Sequence, residues 1–382
     1  MYGWANHRIT RDDLIAFAWS APMRELAKQV GLSDVGLKKA LKAHGVAGPP
    51  QGYWNRVHAG RPVPDRPKAP ARRPGERPYI LVDNRFSGLP TAPLPSSAGP
   101  FASAKVPEDL EQLRVQERSA IGRAVSAGKI VVPHSAIRSL LARDEKDLAK
   151  ASTTLWHRPT PLFDSPYEKR RLRILNAIFL TLARRGHGAS AYVDGTHTEF
   201  AVVIGDTRVP LHLGETGRKS GSYNRYNAPH PDPKRGASVK LELTAETARW
   251  ADDEDGTLET KIADICAGLI VEGEREYRSE LRRLEEAEER QRLEAEKRRQ
   301  ERLRKANEAR VAALVESGRL LAEAENLRSL IAKVAKAVEA GALDLPPNAL
   351  AEWRAWADGE ADKTDPVTSG QVRAHLLPPT DD

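Results

Sequence analysis

The sequence predicts an α+β chain, predominantly helical, in three parts. These are an N-terminal trihelical helix-turn-helix, a central helix on an antiparallel sheet, and a long charged C-terminal helix. Three observations carry this expectation. Residues 21–54 spell two short amphipathic helices around a glycine turn. Residues 190–243 hold short strand-like runs, two of the breaks being Asp-Gly and Gly-Asp. Between Glu272 and Arg310 lie 13 basic and 12 acidic side chains with few large apolar ones.

The first element is a helix opened by Thr10 and Asp13 as a capping pair, with Leu14, Phe17 and Ala18 facing inward. In the second, Leu26, Ala27 and Val30 share a face, and the small Ala27 permits a close helix crossing. Gly31 takes the turn position that favours positive φ, and Leu32 plugs the space between the helices. Ser33 caps the next helix, with Asp34 in its first turn. Leu37, Ala40 and Leu41 point inward, while Lys38, Lys39 and Lys42 project outward. That is the layout of a helix-turn-helix whose second helix enters the major groove; two helices packed for stability alone are the plainer reading.

A domain of residues 1–60 is followed by a basic Pro-rich linker, 61–77, expected to be a semi-rigid polyproline spacer of roughly 3 Å per residue. Residues 78–160 form a strand plus helical region. In it PYILVDNRF reads as an edge strand or a docking segment, and two helices flank GKIVVPHS. The α+β domain spans 161–272. Its first helix starts at Ser165, Pro166 and Glu168, and the sheet is expected to have about four strands. The last helix of this domain carries Ile262, Ile265, Cys266, Leu269 and Ile270 on one face and runs on into the charged helix, 273–340. With an apolar seam offered only by Leu281, Leu284, Leu293 and Leu303, that helix reads as a solvated one held by i,i+4 ion pairs in preference to a coiled coil. Apolar density returns after Arg310, as a helical hairpin or a dimer contact. Residues 341–382 add a short helix with Trp353 and Trp356 facing inward.

Charge points to a partner. The 382 residues carry a formal net charge of +7, and residues 1–77 alone hold 14 Lys and Arg against 6 Asp and Glu. The excess positive charge therefore belongs to one end, where it favours a polyanion. Lys38, Lys39 and Lys42 are candidates for phosphates or guanine edges, and Ser33 and Asp34 sit where base contacts fall. Arg56, Arg61, Arg66, Arg72 and Arg73 would follow the backbone or enter a minor groove, while Tyr53 and Trp54 pack the arm onto the core. A second nucleic-acid loop is suggested by Arg218, Lys219, Arg225, Lys234 and Arg235 interleaved with Tyr223 and Tyr226, a solvated hairpin being the plainer reading.

Catalytic signals are absent. HLGETGRKSGS fails as a phosphate loop because Arg218 separates Gly217 from Lys219 and no helix follows. Asp194 and Glu199 lack the downstream partners of a nuclease metal pair; Asp252, Asp253 and Asp255 read as a solvated turn. The single cysteine, Cys266, reads as a core thiol. No catalytic residue, metal or cofactor is expected. Neither a signal peptide nor a membrane span of roughly 18 apolar residues is visible, so a cytoplasmic protein is expected.

The segment WSAPMRELAKQVGLSDVGLKKALKAHGVAGPPQGYWNRVHAGRPVP resembles an uncharacterised family of bacterial helix-turn-helix proteins. The shared pattern is W-S-x-P-M-x-x-L-A-x-x-x-G-(V/I/L)-S-D-V-(G/A)-L, then P-P-x-G-Y-W and A-G-x-P-V, over Trp19 to Val63. The resemblance implies a DNA-binding module and no particular reaction; Lys38, Lys39 and Lys42 make this chain more lysine-rich than the pattern. The expected function is a DNA-binding regulator or accessory factor, with any homodimer or protein contact through residues 311–360. The alternatives are a helical scaffold, and a nucleic-acid enzyme targeted by its helix-turn-helix.

Overall fold

A computed structural model describes residues 7–151, 161–194, 197–217 and 236–377. The fold is α+β and predominantly helical, as the sequence predicts. The chain divides into two compact units, Met1–Glu285 and Glu286–Asp382.

The first unit opens with β1 (His7–Thr10), α1 (Arg11–Ala18), α2 (Met23–Gln29), α3 (Asp34–Ala43) and α4 (Tyr53–His58). Thr10 Oγ1 accepts from the Asp13 amide at 3.0 Å and donates to Asp13 Oδ2 at 2.6 Å, closing the expected cap. Gly31 has φ +62°, and the Leu32 amide donates to Ala27 O at 2.8 Å, turning α2 into α3. Ser33 Oγ accepts from the Gly36 amide at 3.1 Å. Leu14, Phe17, Ala18, Leu26, Ala27, Val30, Leu37 and Leu41 are buried together. The three helices do not complete this core. β2 (Tyr79–Val82) pairs antiparallel with β1, Ile9 facing Ile80, and Phe86 stands edge-on to Phe17 at 6.0 Å. PYILVDNRF is thus both a strand and a docking segment, and it enlarges a core that would be marginal alone.

Residues 61–77 read as a spacer, but their second half is a strap bound along its length. The Ala69 amide donates to Asp12 Oδ1 at 2.9 Å. Arg72 makes a two-pronged pair with Glu274, both contacts 2.9 Å, and the Gly75 amide reaches Glu274 Oε2 at 2.8 Å. Gly75 O accepts from the Asp206 amide and from Thr207 Oγ1, each at 3.0 Å. Gly75 must be glycine: it has φ +67°, and a Cβ there would lie 2.2 Å from Ile204 O.

The body holds α5 (Leu110–Ile121), α6 (Ser135–Ala151), α7 (Pro166–Arg184), β3 (Gly188–Asp194), β4 (His197–Ile204), β5 (Thr207–Glu215), β6 (Leu241–Thr244) and β7 (Arg249–Ala251). The strands form one antiparallel sheet in the order β3-β4-β5-β6-β7. β7 is one more strand than the sequence suggests, because three residues are too few to show alternation. Ser165 Oγ caps α7 through the Glu168 amide at 3.1 Å. Leu172, Leu175, Ile178, Phe179 and Leu182 of α7 join Val202, Val209, Leu211, Leu213 and the first turns of α8 (Ile262–Glu339) in a single core.

Asp252 corrects the expectation of a solvated turn. It is buried, accepts from the Leu241 and Leu258 amides at 2.8 Å each, and pairs with Arg170 at 2.9 Å. Arg170 also grips Glu259 at 2.7 Å, which holds that carboxyl below its ordinary range. The cluster anchors α7 to the turn before α8.

His187, between α7 and β3, is 7% exposed, and its Nδ1 accepts from the Gly205 amide at 3.3 Å. Burial, then Arg73 and Arg185, push its pKa down to about 4 against a weaker opposing pull from Glu76. A depressed histidine binds its proton more readily in the unfolded chain, so stability rises with pH between about 4 and its ordinary value of 6.5. Acidification across that window is expected to remove on the order of 3 kcal/mol of unfolding free energy. Urea unfolding at both ends of the window checks this; a His187→Gln chain showing the same pH slope as wild type would sink it.

In the second unit, the latter part of α8 is followed by α9 (Pro347–Thr364) and α10 (Arg373–Leu376). Buried Ser317, Ala324 and Ile331 recur every seven residues along α8, and Ala361 of α9 is buried as well. Arg328 pairs with Asp362 at 2.9 Å and Asp365 at 2.8 Å, Arg310 donates to His375 O, and His375 meets Ser317. Of the hairpin and the dimer contact left open by the sequence, the hairpin is formed. Trp356 does not face inward: it is 63% exposed, Trp353 only half-buried. The charged stretch is solvated and carries i,i+3 and i,i+4 pairs such as Arg304–Glu301 and Arg304–Glu308. No helix among the described residues is long and apolar enough to cross a membrane.

Candidate nucleic-acid interface

α3 presents one continuous outward stripe. Val35, Lys38, Lys39 and Lys42 follow i, i+3, i+4, i+7 and are all exposed, while Leu37 and Leu41 on the opposite face are fully buried. None of the three lysines has a carboxylate partner among the described residues. Val35 is 64% exposed, a large apolar side chain held in solvent on the first turn of a helix. Composition-based reasoning passed over it; its spacing to the lysines is the signal that finds it. Ser33 and Asp34 are exposed at the same end, Ser33 Oγ being engaged by its capping bond. Arg24 and Lys28, one turn apart and exposed on α2, were also missed.

The arm is organised by aromatic contacts. Trp19 Nε1 donates to Ala47 O at 2.9 Å; Tyr53 stands edge-on to Trp19 at 5.2 Å, and Trp54 edge-on to Tyr53 at 5.3 Å. Tyr53 and Trp54 therefore pack the arm, as the sequence suggests. Gly52, with φ +79°, starts α4, an element the proline-rich reading did not include. Arg56, Arg61 and Arg66 are exposed beyond it.

Arg72 is a correction. Its guanidinium is spent on Glu274, Phe101 O and Glu76 O and lies 5.0 Å above the Tyr277 ring, so it has no donor to offer a phosphate. Burial works against its charge and Glu274 outweighs it, raising the pKa above the ordinary arginine value. Arg73 is divided: Nη1 donates to Gly186 O at 3.4 Å and Nε lies 3.8 Å from Glu76. It faces the body, away from the free arm cations in sequence and in bonding. The suggested loop of Arg218, Lys219, Tyr223, Arg225, Tyr226, Lys234 and Arg235 lies outside the described residues.

Catalytic candidates do not converge. Glu199 pairs with Arg208 at 3.7 Å on an exposed strand face, and the side chain of Asp194 lies outside the described residues. Among the described residues, no group of three or more His, Cys, Asp or Glu side chains is placed to hold a metal ion. Cys266 is fully buried, and burial pushes its thiol up to about 12, far from a nucleophile at neutral pH. No protein-family model, curated protein or solved structure matches the chain, leaving the stripe on α3 as the guide to its partner.

Proposed function

We propose that the N-terminal part of the chain binds duplex DNA and that the protein acts as a regulator or accessory factor of the helix-turn-helix family that Trp19–Val63 resembles. The observation that carries this reading is the exposed, unpaired stripe Val35, Lys38, Lys39 and Lys42 on a capped helix whose other face is core. α3 would lie in the major groove, its lysines meeting phosphates or guanine edges and Val35 a thymine methyl group. Asp34 would accept from a cytosine amino group. Arg56, Arg61 and Arg66 would follow the backbone and hold the register. Structural charges elsewhere are mostly paired, which supports giving these cations a partner outside the chain.

Binding to random duplex and to a library of host fragments, across a salt series, tests the reading. Tight binding that weakens steeply with salt is expected, together with an enriched set of fragments. Absence of binding near physiological salt removes it.

A second reading concerns residues 311–360. Val311, Leu314 and Val315 are 52%, 56% and 68% exposed on one side of α8, away from the seam that includes Ser317 and Ala324. This apolar strip supports a homodimer or protein contact, and an operator of adequate length ordinarily requires two DNA-reading helices. Light scattering of the full chain is expected to give a mass above 42.1 kDa that falls to the monomer value in Leu314→Glu, Val315→Glu. Monomer mass for both proteins removes the homodimer.

A further inference from the structure

A cleft of about 450 Å³ opens between the strap, α5 and the turn before β3. Arg73 comes from the strap, Lys105 from the segment before α5, Gln116 and Glu117 from α5, Arg185 and His187 from the turn. We propose that this cleft is a binding site for a small phosphorylated ligand, with the phosphate held by Arg73, Lys105 and His187 Nε2–H.

Charge is the first ground. Arg185 is committed to Glu117, with both nitrogens in contact at 3.0 Å. Arg73 keeps only a 3.8 Å approach to Glu76, which also meets Arg11 at 3.2 Å, and a long bond to a carbonyl. Lys105 is exposed with no carboxylate partner among the described residues. The lining therefore holds three cations against one carboxylate, and the surplus faces a concavity instead of open solvent. Clefts with low-dielectric walls strengthen attraction for an anion.

His187 is the second and independent ground. It is 93% buried on the scale that leaves 7% exposed, yet half of its polar capacity is unused. Nδ1 accepts from the Gly205 amide, so the neutral ring carries its proton on Nε2. That N–H has no acceptor among the described residues and its ring lines the cleft. Buried donors are ordinarily paired, and one left open toward a cationic cleft is a place prepared for an anionic acceptor. The positive potential of Arg73 and Arg185, which makes protonating His187 unfavourable, is the same potential an anion would find attractive.

Size and composition narrow the ligand. The volume is that of a small-molecule site, too small for a folded partner. Gln116 and Glu117 beside the cations provide an amide and a carboxylate for hydroxyl or amino groups on the ligand's uncharged part. A phosphomonoester of metabolite size fits all of these features. The site stands independently of DNA contact at α3.

The experiment uses the full chain and two probes, inorganic phosphate and glycerol phosphate, each at millimolar concentration against chloride at matched ionic strength. Thermal unfolding and the imidazole resonances of His187 are followed together. Both probes are expected to raise the melting temperature and to move the His187 titration to higher pH, because a bound anion favours the imidazolium. Lys105→Glu, at an exposed side chain without a partner, should melt like wild type in chloride and bind at least about tenfold more weakly, as expected for loss and reversal of one ion-pairing charge. Glycerol phosphate binding more tightly than phosphate identifies a metabolite site; equal affinity identifies a site for the free ion. The proposal is overturned by no phosphate effect beyond chloride, or by an effect undiminished in Lys105→Glu. It is equally overturned by an effect lost instead in Lys38→Ala, Lys39→Ala, Lys42→Ala, which would place the anion on α3.

Discussion

The triple variant Lys38→Ala, Lys39→Ala, Lys42→Ala is expected to bind random duplex about a hundredfold more weakly near physiological salt. If each lysine neutralises one phosphate, each contributes about 0.9 to the slope of log affinity against log salt. Loss of all three should then flatten that slope by roughly 2.7 units, and a slope difference of that size is worth about two decades at physiological ionic strength. The fold should be untouched, because all three side chains are exposed and unpaired. Fluorescence anisotropy across a salt series, with a thermal melt of each protein, gives both readings. Val35→Ala separates specificity from attachment: it should leave the slope unchanged and reduce enrichment of particular fragments, by about 1–3 kcal/mol of discrimination at one base pair. A triple variant that binds as wild type does would remove α3 as the interface.

Glu274→Ala is expected to cost about 3–5 kcal/mol of unfolding free energy, because it strands a buried guanidinium without its counter-charge. Glu274 is fully buried and accepts from both terminal nitrogens of Arg72, from the Gly75 amide and from Arg278 Nε. Arg72, 12% exposed, would retain only the Phe101 and Glu76 carbonyls. The double replacement Arg72→Met, Glu274→Met removes both charges and should recover most of the loss, since such pairs gain little over apolar side chains of similar volume. Urea midpoints measure the cost, and hydrogen exchange at the Gly75 amide tells whether the strap has detached. A Glu274→Ala chain within about 1 kcal/mol of wild type would show that the pair contributes no more than a surface ion pair does.

These two expectations fall on opposite sides of what could be read in advance. Lys38, Lys39 and Lys42 belong to a pattern with a period of one helical turn, so their outward placement follows from Leu37 and Leu41 pointing inward. Arg72 and Arg66 belong to the same proline-rich run and look alike as letters. Only one of them meets a carboxylate, 202 residues away. Likewise Asp252, in a run of acids that reads as solvated, is drawn inside by Arg170 on a helix 82 residues earlier. Trp356 shows the converse: its large apolar ring suggests burial, yet α9 turns it outward. The cleft around His187 was invisible for the same reason, since the strap, α5 and the turn before β3 that wall it are far apart along the chain.

By itself the sequence determined the local architecture: the caps at Thr10, Ser33 and Ser165, the turn at Gly31, the stripe on α3 and the unbroken run of α8. Each depends on side chains and backbone groups within about one or two helical turns, where spacing alone fixes who meets whom. Only the tertiary structure decided that β1 pairs with β2, that residues 69–77 are a bound strap, which arginines stay free for an outside partner, and where a cationic cleft forms. Those outcomes depend on which distant segments the fold closes against each other, and a charge or a short strand carries no mark of its partner until that closure has occurred.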